Sequence, residues 1–362
     1  MFLLRRQQVE DWVLRQWRVR GLWSVLTRPG AKLFAAVLWA RGLLYRAGLV
    51  RAQRLKAQVI VVGNVVAGGT GKTPVVMALV DRLLAQGWQV GVLARGYLAA
   101  PPTPVFEVQA NSPAQAVGDE PLLVKQRTGV PVFIGRERAA AGQALLQAYP
   151  QVQVLVCDDG LQHLALARDI EIGVFDDRGV GNGLLQPAGP LREPWPRPLD
   201  FVLHTGQRAT PMGLDTLPVW RARRSLSHQA QAVLKPAAPR PLRDWQGLPV
   251  AAVAGIAQPE VFFQALRDQG LNLVRCYPRP DHHDFLEVSH PHNELRQENL
   301  PLFCTEKDAV KLAAWWSPAD ISPVPDLWTV PLTLEIDPAF WTAIETRLQR
   351  TALSSGHGQQ TA

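Results

Sequence analysis

The chain has 362 residues, 47% hydrophobic and 19% charged, enough for two domain cores, and this balance excludes a globally disordered protein. Its net charge is +7. Its three cysteines, Cys157, Cys276 and Cys304, lie far apart with no CxxC spacing, which argues against a disulfide framework or a cysteine-based zinc site and suits a reducing, cytoplasmic compartment.

The positive charge is concentrated at the start. Residues 1–56 carry twelve Lys or Arg against only Glu10 and Asp11, together with Trp12, Trp17, Trp23, Trp39 and Tyr45. Such a segment calls for an anionic partner. Its most apolar run, Leu33 to Ala40, meets Arg41 well short of the roughly 20 residues that a spanning helix needs. Arg and Trp interleave and no small-residue cleavage site follows, so a signal peptide is not indicated. The composition predicts a helical segment lying in a headgroup plane, where each basic side chain contributes about 1 kcal/mol on an anionic leaflet. A helix packed on the globular body is the plainer alternative. A nucleic-acid arm lacks any accompanying module, and no nucleic-acid partner is expected.

The strongest local signal follows. Val59-Ile60-Val61-Val62 reads as a buried strand, then a loop runs through Gly68-Gly69-Thr70-Gly71-Lys72-Thr73, and Val75, Val76, Leu79, Val80 and Leu83 recur at helical spacing. Strand, glycine-rich loop and helix make a P-loop. Its glycines let backbone N–H groups close on phosphate oxygens at a helix N-terminus. Lys72 is expected to reach the β- and γ-phosphates and the Thr73 hydroxyl to ligate Mg²⁺. Val66 stands where the strict motif has its first glycine.

A P-loop site needs a second strand ending in an acid. Val152 to Cys157 is that strand, and Asp158-Asp159-Gly160 ends it, though an Asp-Gly turn alone would also suit. Further strands are expected at Val90–Leu93 and Val132–Ile134, with helices over 74–86, 120–128 and 136–147. Strands alternating with helices predict an α/β fold with a P-loop NTPase-type parallel sheet. Asn182, Arg192 and Glu193 fall in a Gly/Pro-rich loop from Arg178 to Pro198, where Arg192 is a candidate to stabilise a transferring phosphate.

Residues 205–245, rich in Arg, Ala, Pro and Gln, read as a connector. A strand from Pro249, a helix over 259–268 and a strand over Leu271–Cys276 open a second, smaller α/β domain. The expected organisation is a membrane-contacting helical segment (1–56), a P-loop kinase domain (57–204), the connector (205–245), the second domain (246–350) and a disordered tail (351–362). Lys307 and Lys311 sit at a helix start, where a solvated face explains them nearly as well as function does.

Longer motifs carry a resemblance. Gly63-Asn64 with the P-loop, Arg95-Gly96-Tyr97, Gly118-Asp119-Glu120-Pro121, Asp158-Asp159-Gly160-Leu161-Gln162-His163, Gly181-Asn182-Gly183, Pro187 to Glu193, Pro280-Asp281-His282-His283 and Thr305 to Lys311 occur in one order. In this the chain resembles the tetraacyldisaccharide 4′-kinase family, the lipid A 4′-kinases of Gram-negative bacteria. The resemblance implies transfer of the γ-phosphate of ATP, with Mg²⁺, to the 4′-hydroxyl of a tetraacylated glucosamine disaccharide 1-phosphate, giving lipid IVA. It also implies a peripheral enzyme on the cytoplasmic face of the inner membrane, here expected as a monomer. It assigns Asp119 as the base and His282 as its partner, with Lys72 and Arg192 on the phosphates and Asp158 and Asp159 serving the metal. From the residues alone, Asp119 could instead cap a helix starting at Pro121, and Asp281 to Asp284 could be read as metal ligands. A membrane-associated P-loop ATPase switch without a small-molecule acceptor is the competing function.

Overall fold

The computed structural model describes residues 12–97, 99–207, 213–214, 218–234, 237–281, 283, 285, 295, 298–315 and 326–354. His282 and residues 1–11 of the basic segment lie outside the described residues, as do residues 355–362 of the expected tail.

The first sheet grows from the strand that precedes the P-loop. β1 (Gln58–Gly63) is buried along its whole length, as a near-continuous apolar run in the middle of a parallel sheet must be. Beyond it run β2 (Val90–Ala94), β3 (Val105–Val108), β4 (Val132–Gly135), β5 (Val154–Asp158), β6 (Ile170–Phe175), β7 (Phe201–His204) and β8 (Val219–Leu226). With β15 (Leu332–Ile336) they form nine strands in the order β15-β8-β7-β6-β1-β5-β2-β4-β3. β1 lies parallel between β5 and β6, and Val62 is in register with Asp158. The P-loop and the acid pair therefore leave the same end of adjacent strands.

Helices Lys72–Ala85, Asp119–Thr128 and Pro338–Ser354 cover one face through Val76, Leu79, Leu83, Leu122, Phe340, Ile344 and Leu348. Helix Arg138–Ala148 and the loops around Leu161 and Leu191 cover the other.

The second sheet contains β9 (Gln229–Ala232), β10 (Arg240–Pro241), β11 (Pro249–Ala254), β12 (Asn272–Pro278), β13 (Leu302–Cys304) and β14 (Leu327–Thr329), in the order β10-β9-β14-β13-β11-β12. Helices Pro259–Asp268 and Glu306–Trp315 accompany it.

The boundaries differ from those expected. The stretch read as a connector supplies β8 to the first sheet and β9 to the second. At the other end the chain leaves β14, enters β15 and pairs antiparallel with β8, so residues 332–354 return to the first unit. Residues 351–354 continue the last helix. The reason is burial: Phe340 packs against Phe201 and Trp220, and the buried Gln58 donates to the carbonyl of Leu348 at 3.1 Å. Phe340→Ala should destabilise the first unit by about 3–5 kcal/mol. A urea midpoint unchanged from the parent would show that the last helix is only draped on the sheet.

The basic segment forms helices Leu22–Leu26 and Arg28–Arg46. It is docked on the loops after β5 and β6. Trp17 and Trp23 donate through their indole nitrogens to the carbonyl of Pro187, at 2.9 and 3.3 Å, and Arg41 donates to the carbonyl of Gln162 at 2.6 Å. No described helix is long and apolar enough to cross a membrane.

Candidate active site

The P-loop is shaped by two left-handed glycines. Gly68 has φ 93° and Gly71, the N-cap of the following helix, has φ 79°, a region that side chains with a Cβ rarely adopt. A Cβ at Gly68 would also lie 2.8 Å from Nη1 of Arg178. The loop's carbonyls are held from outside. Asn64 donates to Gly68 O at 3.0 Å, Arg178 to Gly69 O at 2.5 Å and the Thr205 hydroxyl to Thr70 O at 2.9 Å. None of the described hydrogen bonds takes the N–H of Gly68, Gly69, Thr70 or Gly71. That leaves them to an anion at the helix N-terminus.

Below the loop the two acids have divided roles. The Thr73 hydroxyl lies 3.3 Å from Oδ2 of Asp158, and both residues are buried. The Oδ1 atom of Asp158 is buried without a partner, as is the Thr70 hydroxyl. Burial pushes the Asp158 carboxyl up to about 7, helped by the nearby Glu120 and Asp159 and opposed by Lys72. Asp159 behaves in the opposite way. Burial acts to raise its pKa, but Lys72 and Arg192 together hold it below the ordinary carboxylate value. Lys72 Nζ lies 3.6 Å from Asp159 Oδ1, and Arg192 Nη1 is 3.0 Å from both Asp159 oxygens. Asp159 also has φ 52°, the one positive φ among described non-glycine residues. Strain of this kind persists where surrounding contacts enforce it.

Asp119 is the first residue of its helix rather than a cap before Pro121; Gly118, with φ 89°, is the N-cap. Its Oδ2 lies 3.0 Å from Nζ of Lys311, which comes from the second unit. Lys311 is buried, and Lys307 pairs with Asp281 at 2.6 Å, so neither lies on the solvated helix face considered from the sequence. Among the described residues no group of three or more His, Cys, Asp and Glu could hold a metal; His282 and Asp284, which complete the run considered as ligands, lie outside the described residues.

The structure thus brings Lys72, Thr73, Asp158, Asp159 and Arg192 together beneath the P-loop. Asn182 stands apart. It is buried, donates to the carbonyls of Ala188 and Val19 at 3.0 and 3.3 Å, and receives the basic segment rather than a phosphate. Glu193 accepts from Gln162 at 2.8 Å, and Gln162 also donates to the carbonyl of Asn64 at 3.0 Å. Arg178, Thr205 and Arg224 were not expected from the sequence. Arg178 is fixed by Asp176 at 2.7 Å, and Arg224 donates to the carbonyl of Thr205 at 3.2 Å. The Asp176-Asp177-Arg178 run at the end of β6 was the available signal.

A matching family model is described as "Tetraacyldisaccharide-1-P 4'-kinase", and its match covers residues 23–349. The chain belongs to that family. Among curated relatives, the tetraacyldisaccharide 4'-kinase of Acidovorax sp. (strain JS42) is 48% identical over 94% of this chain and 95% of its own. That of Polaromonas naphthalenivorans is 47% identical over 96% and 98%. The fold is similar to the solved structure of LpxK from Aquifex aeolicus in complex with ATP, with a TM-score of 0.74, 24% identity, and coverage of 90% of this chain and 99% of that one.

Beside Asp159 lies a cationic cluster. Burial, followed by Arg138, Arg95 and Arg41, lowers the His163 pKa to about 4, against the opposing pull of Asp159. His163 is therefore neutral near pH 7. Its unfolded form takes up a proton near pH 6.5, whereas the folded form resists until about pH 4. Its contribution to stability is thus complete above about pH 6.5 and declines as pH falls to about 4. His163→Gln should retain more stability over that interval, measured as urea midpoints relative to the parent. The difference isolates His163 from Asp158, whose raised pKa acts with the opposite sign. Parallel curves for the two proteins would contradict this reading.

Proposed function

We propose that the chain transfers the terminal phosphoryl group of ATP to the 4′-hydroxyl of a tetraacylated disaccharide 1-phosphate. The observation that carries this reading is the buried Thr73–Asp158 contact beneath a P-loop whose N–H groups are left to an anion, in a member of this kinase family.

The residues fit Mg²⁺. A hydroxyl and a carboxylate are the hard oxygen donors that this ion takes, and Asp158 has a buried oxygen in need of a partner. Thr73 and Asp158 would hold it, while Asp159, already engaged by Lys72 and Arg192, orients those cations. Bound there, the ion neutralises charge on the phosphate oxygens.

The P-loop N–H groups and Lys72 bind the phosphate chain and fix the reacting phosphorus. Asp119 accepts the proton of the 4′-hydroxyl as that oxygen bonds to phosphorus and the bond to the bridging oxygen of ADP breaks. His282 is the proposed partner of this acid. Arg192, held next to Asp159, stabilises the transferring group. Arg41, Arg95 and Arg138 create a positive field beside the site, suited to an anionic acceptor.

The acceptor is a lipid, and the basic segment supplies a surface for its bilayer. Along helix Arg28–Arg46, Leu33, Val37 and Leu44 are exposed on one face, and Lys32, Trp39 and Arg46 form a second exposed stripe further round the helix. This is an interfacial pattern, and it supports a peripheral enzyme, which we assign to the cytoplasmic side of the inner membrane, where ATP is available. Replacing Leu33, Val37 and Leu44 together by Ser should weaken co-sedimentation with anionic vesicles by at least about tenfold. Unchanged sedimentation would assign that face to another partner.

The reaction is tested by a mass-resolved assay with Mg-ATP and the tetraacyldisaccharide 1-phosphate in detergent micelles. A product heavier by one phosphate is expected. Lys72→Ala should lower its rate by about 10²-fold or more, and Asp119→Ala by about 10²- to 10⁴-fold. Hydrolysis of ATP with no phosphorylated lipid would favour the ATPase switch.

A further inference from the structure

We infer that Lys311 is a positioning residue for the acid that takes the acceptor's proton, holding the Asp119 carboxylate in place from the second unit. This rests on the reading of Asp119 as the base. Lys311 Nζ lies 3.0 Å from Asp119 Oδ2, and the two side chains are only 8% and 12% exposed. The same ammonium donates to the carbonyl of His283 at 2.6 Å and lies 5.6 Å from the ring centroid of Phe285. One cation therefore holds both the carboxylate and the backbone carbonyl of His283.

The lysine's own placement is prepared by its helix. Asp308, one turn earlier and fully buried, accepts from the backbone N–H of Gly255 at 2.9 Å and from the Thr305 hydroxyl at 2.6 Å. Those bonds anchor the start of helix Glu306–Trp315 to the end of β11. The helix packs against Asp119–Thr128, and a second ion pair, Arg127 with Glu306, joins the same two helices. The register between the helices, and with it the Lys311–Asp119 contact, is set at two points.

A buried ion pair is weak evidence for stability, because desolvation offsets its attraction. What it supplies here is orientation. A carboxylate at the first turn of a helix has several staggered rotamers, and proton transfer requires an oxygen within hydrogen-bond reach of the hydroxyl. Holding Oδ2 on Lys311 restricts the carboxylate to the rotamers compatible with that contact. Lysine suits this task because its ammonium has three donors and can serve the carboxylate and a carbonyl together.

The test compares Lys311→Met, Lys311→Arg, Asp119→Asn and the Lys311→Met/Asp119→Asn double variant in the micelle assay. Melting temperatures are recorded for each. Lys311→Met should lower kcat by about 10²-fold with KM for ATP changed only a few-fold, and Lys311→Arg should recover part of the loss. In the Asp119→Asn background, Lys311→Met should cost nothing further, since both changes remove one function. The proposal is overturned by a parental kcat in Lys311→Met beside a loss in Asp119→Asn. It is equally overturned by additive losses in the double variant, or by a loss that follows melting temperature and that Lys311→Arg does not relieve. A parental kcat in Asp119→Asn would instead remove the base reading, and the lysine's role with it.

Discussion

The pairing of β1 with β5 is the constraint on which the site depends. Parallel strands in register bring their carboxyl ends to one edge, so the loop after Gly63 and the acids after Cys157 must emerge side by side. Thr73 can reach Asp158 because Val62 is level with that residue across the ladder. β6, on the other flank of β1, ends in Asp176 and feeds Arg178 back to the P-loop carbonyls. The loops after three adjacent strands thus meet at one edge of the sheet, where the helix that starts at Lys72 adds Lys72, Thr73 and its N-terminal N–H groups to the phosphate site.

Electrostatics then separates two neighbouring carboxyls. They differ in sequence position by one residue, and on a strand end this sends them to different surroundings. Asp158 points into the buried side, meets Thr73 and has its pKa raised by burial. Asp159, turned by its positive φ, meets Lys72 and Arg192 and is held ionised. Burying a carboxylate without a cation is costly, so an acid left in Asp158's position is one that gains most from a hard cation.

How much of this was legible in the sequence follows from distance along the chain. The P-loop, its strand and its helix are contiguous, and periodicity marks all three. The acid strand was legible because a β-branched run ending in Asp-Asp-Gly is a local pattern. The return of β15 to the first sheet was not: five residues of strand carry no mark of the sheet they join, and the Ser225–Thr333 contact that seals the ribbon is a tertiary fact. Lys311 stays undecided in the sequence for a related reason. A lysine at a helix start resembles a solvated one until the opposing helix is in place. Arg178, Thr205 and Arg224 are brought to the P-loop by strand order alone. His282 lies outside the described residues, and its role rests on family resemblance.

The basic segment and the catalytic edge form one mechanical unit. The segment's tryptophans and arginines attach to Pro187, Asn182 and Gln162. Gln162 in turn donates to the carbonyl of Asn64, at the start of the P-loop, and to Glu193, beside the arginine that holds Asp159. Each link is a hydrogen bond from a side chain to a backbone carbonyl or a carboxylate, so the chain of contacts is stiff where side-chain packing alone would slide. A lipid acceptor presents its hydroxyl at a height fixed by its acyl chains. An enzyme acting on it must fix the height of its own phosphate site relative to the same surface. On the membrane role proposed for helix Arg28–Arg46, its links to the loops that carry Arg192 and Asn64 meet that requirement with short connections.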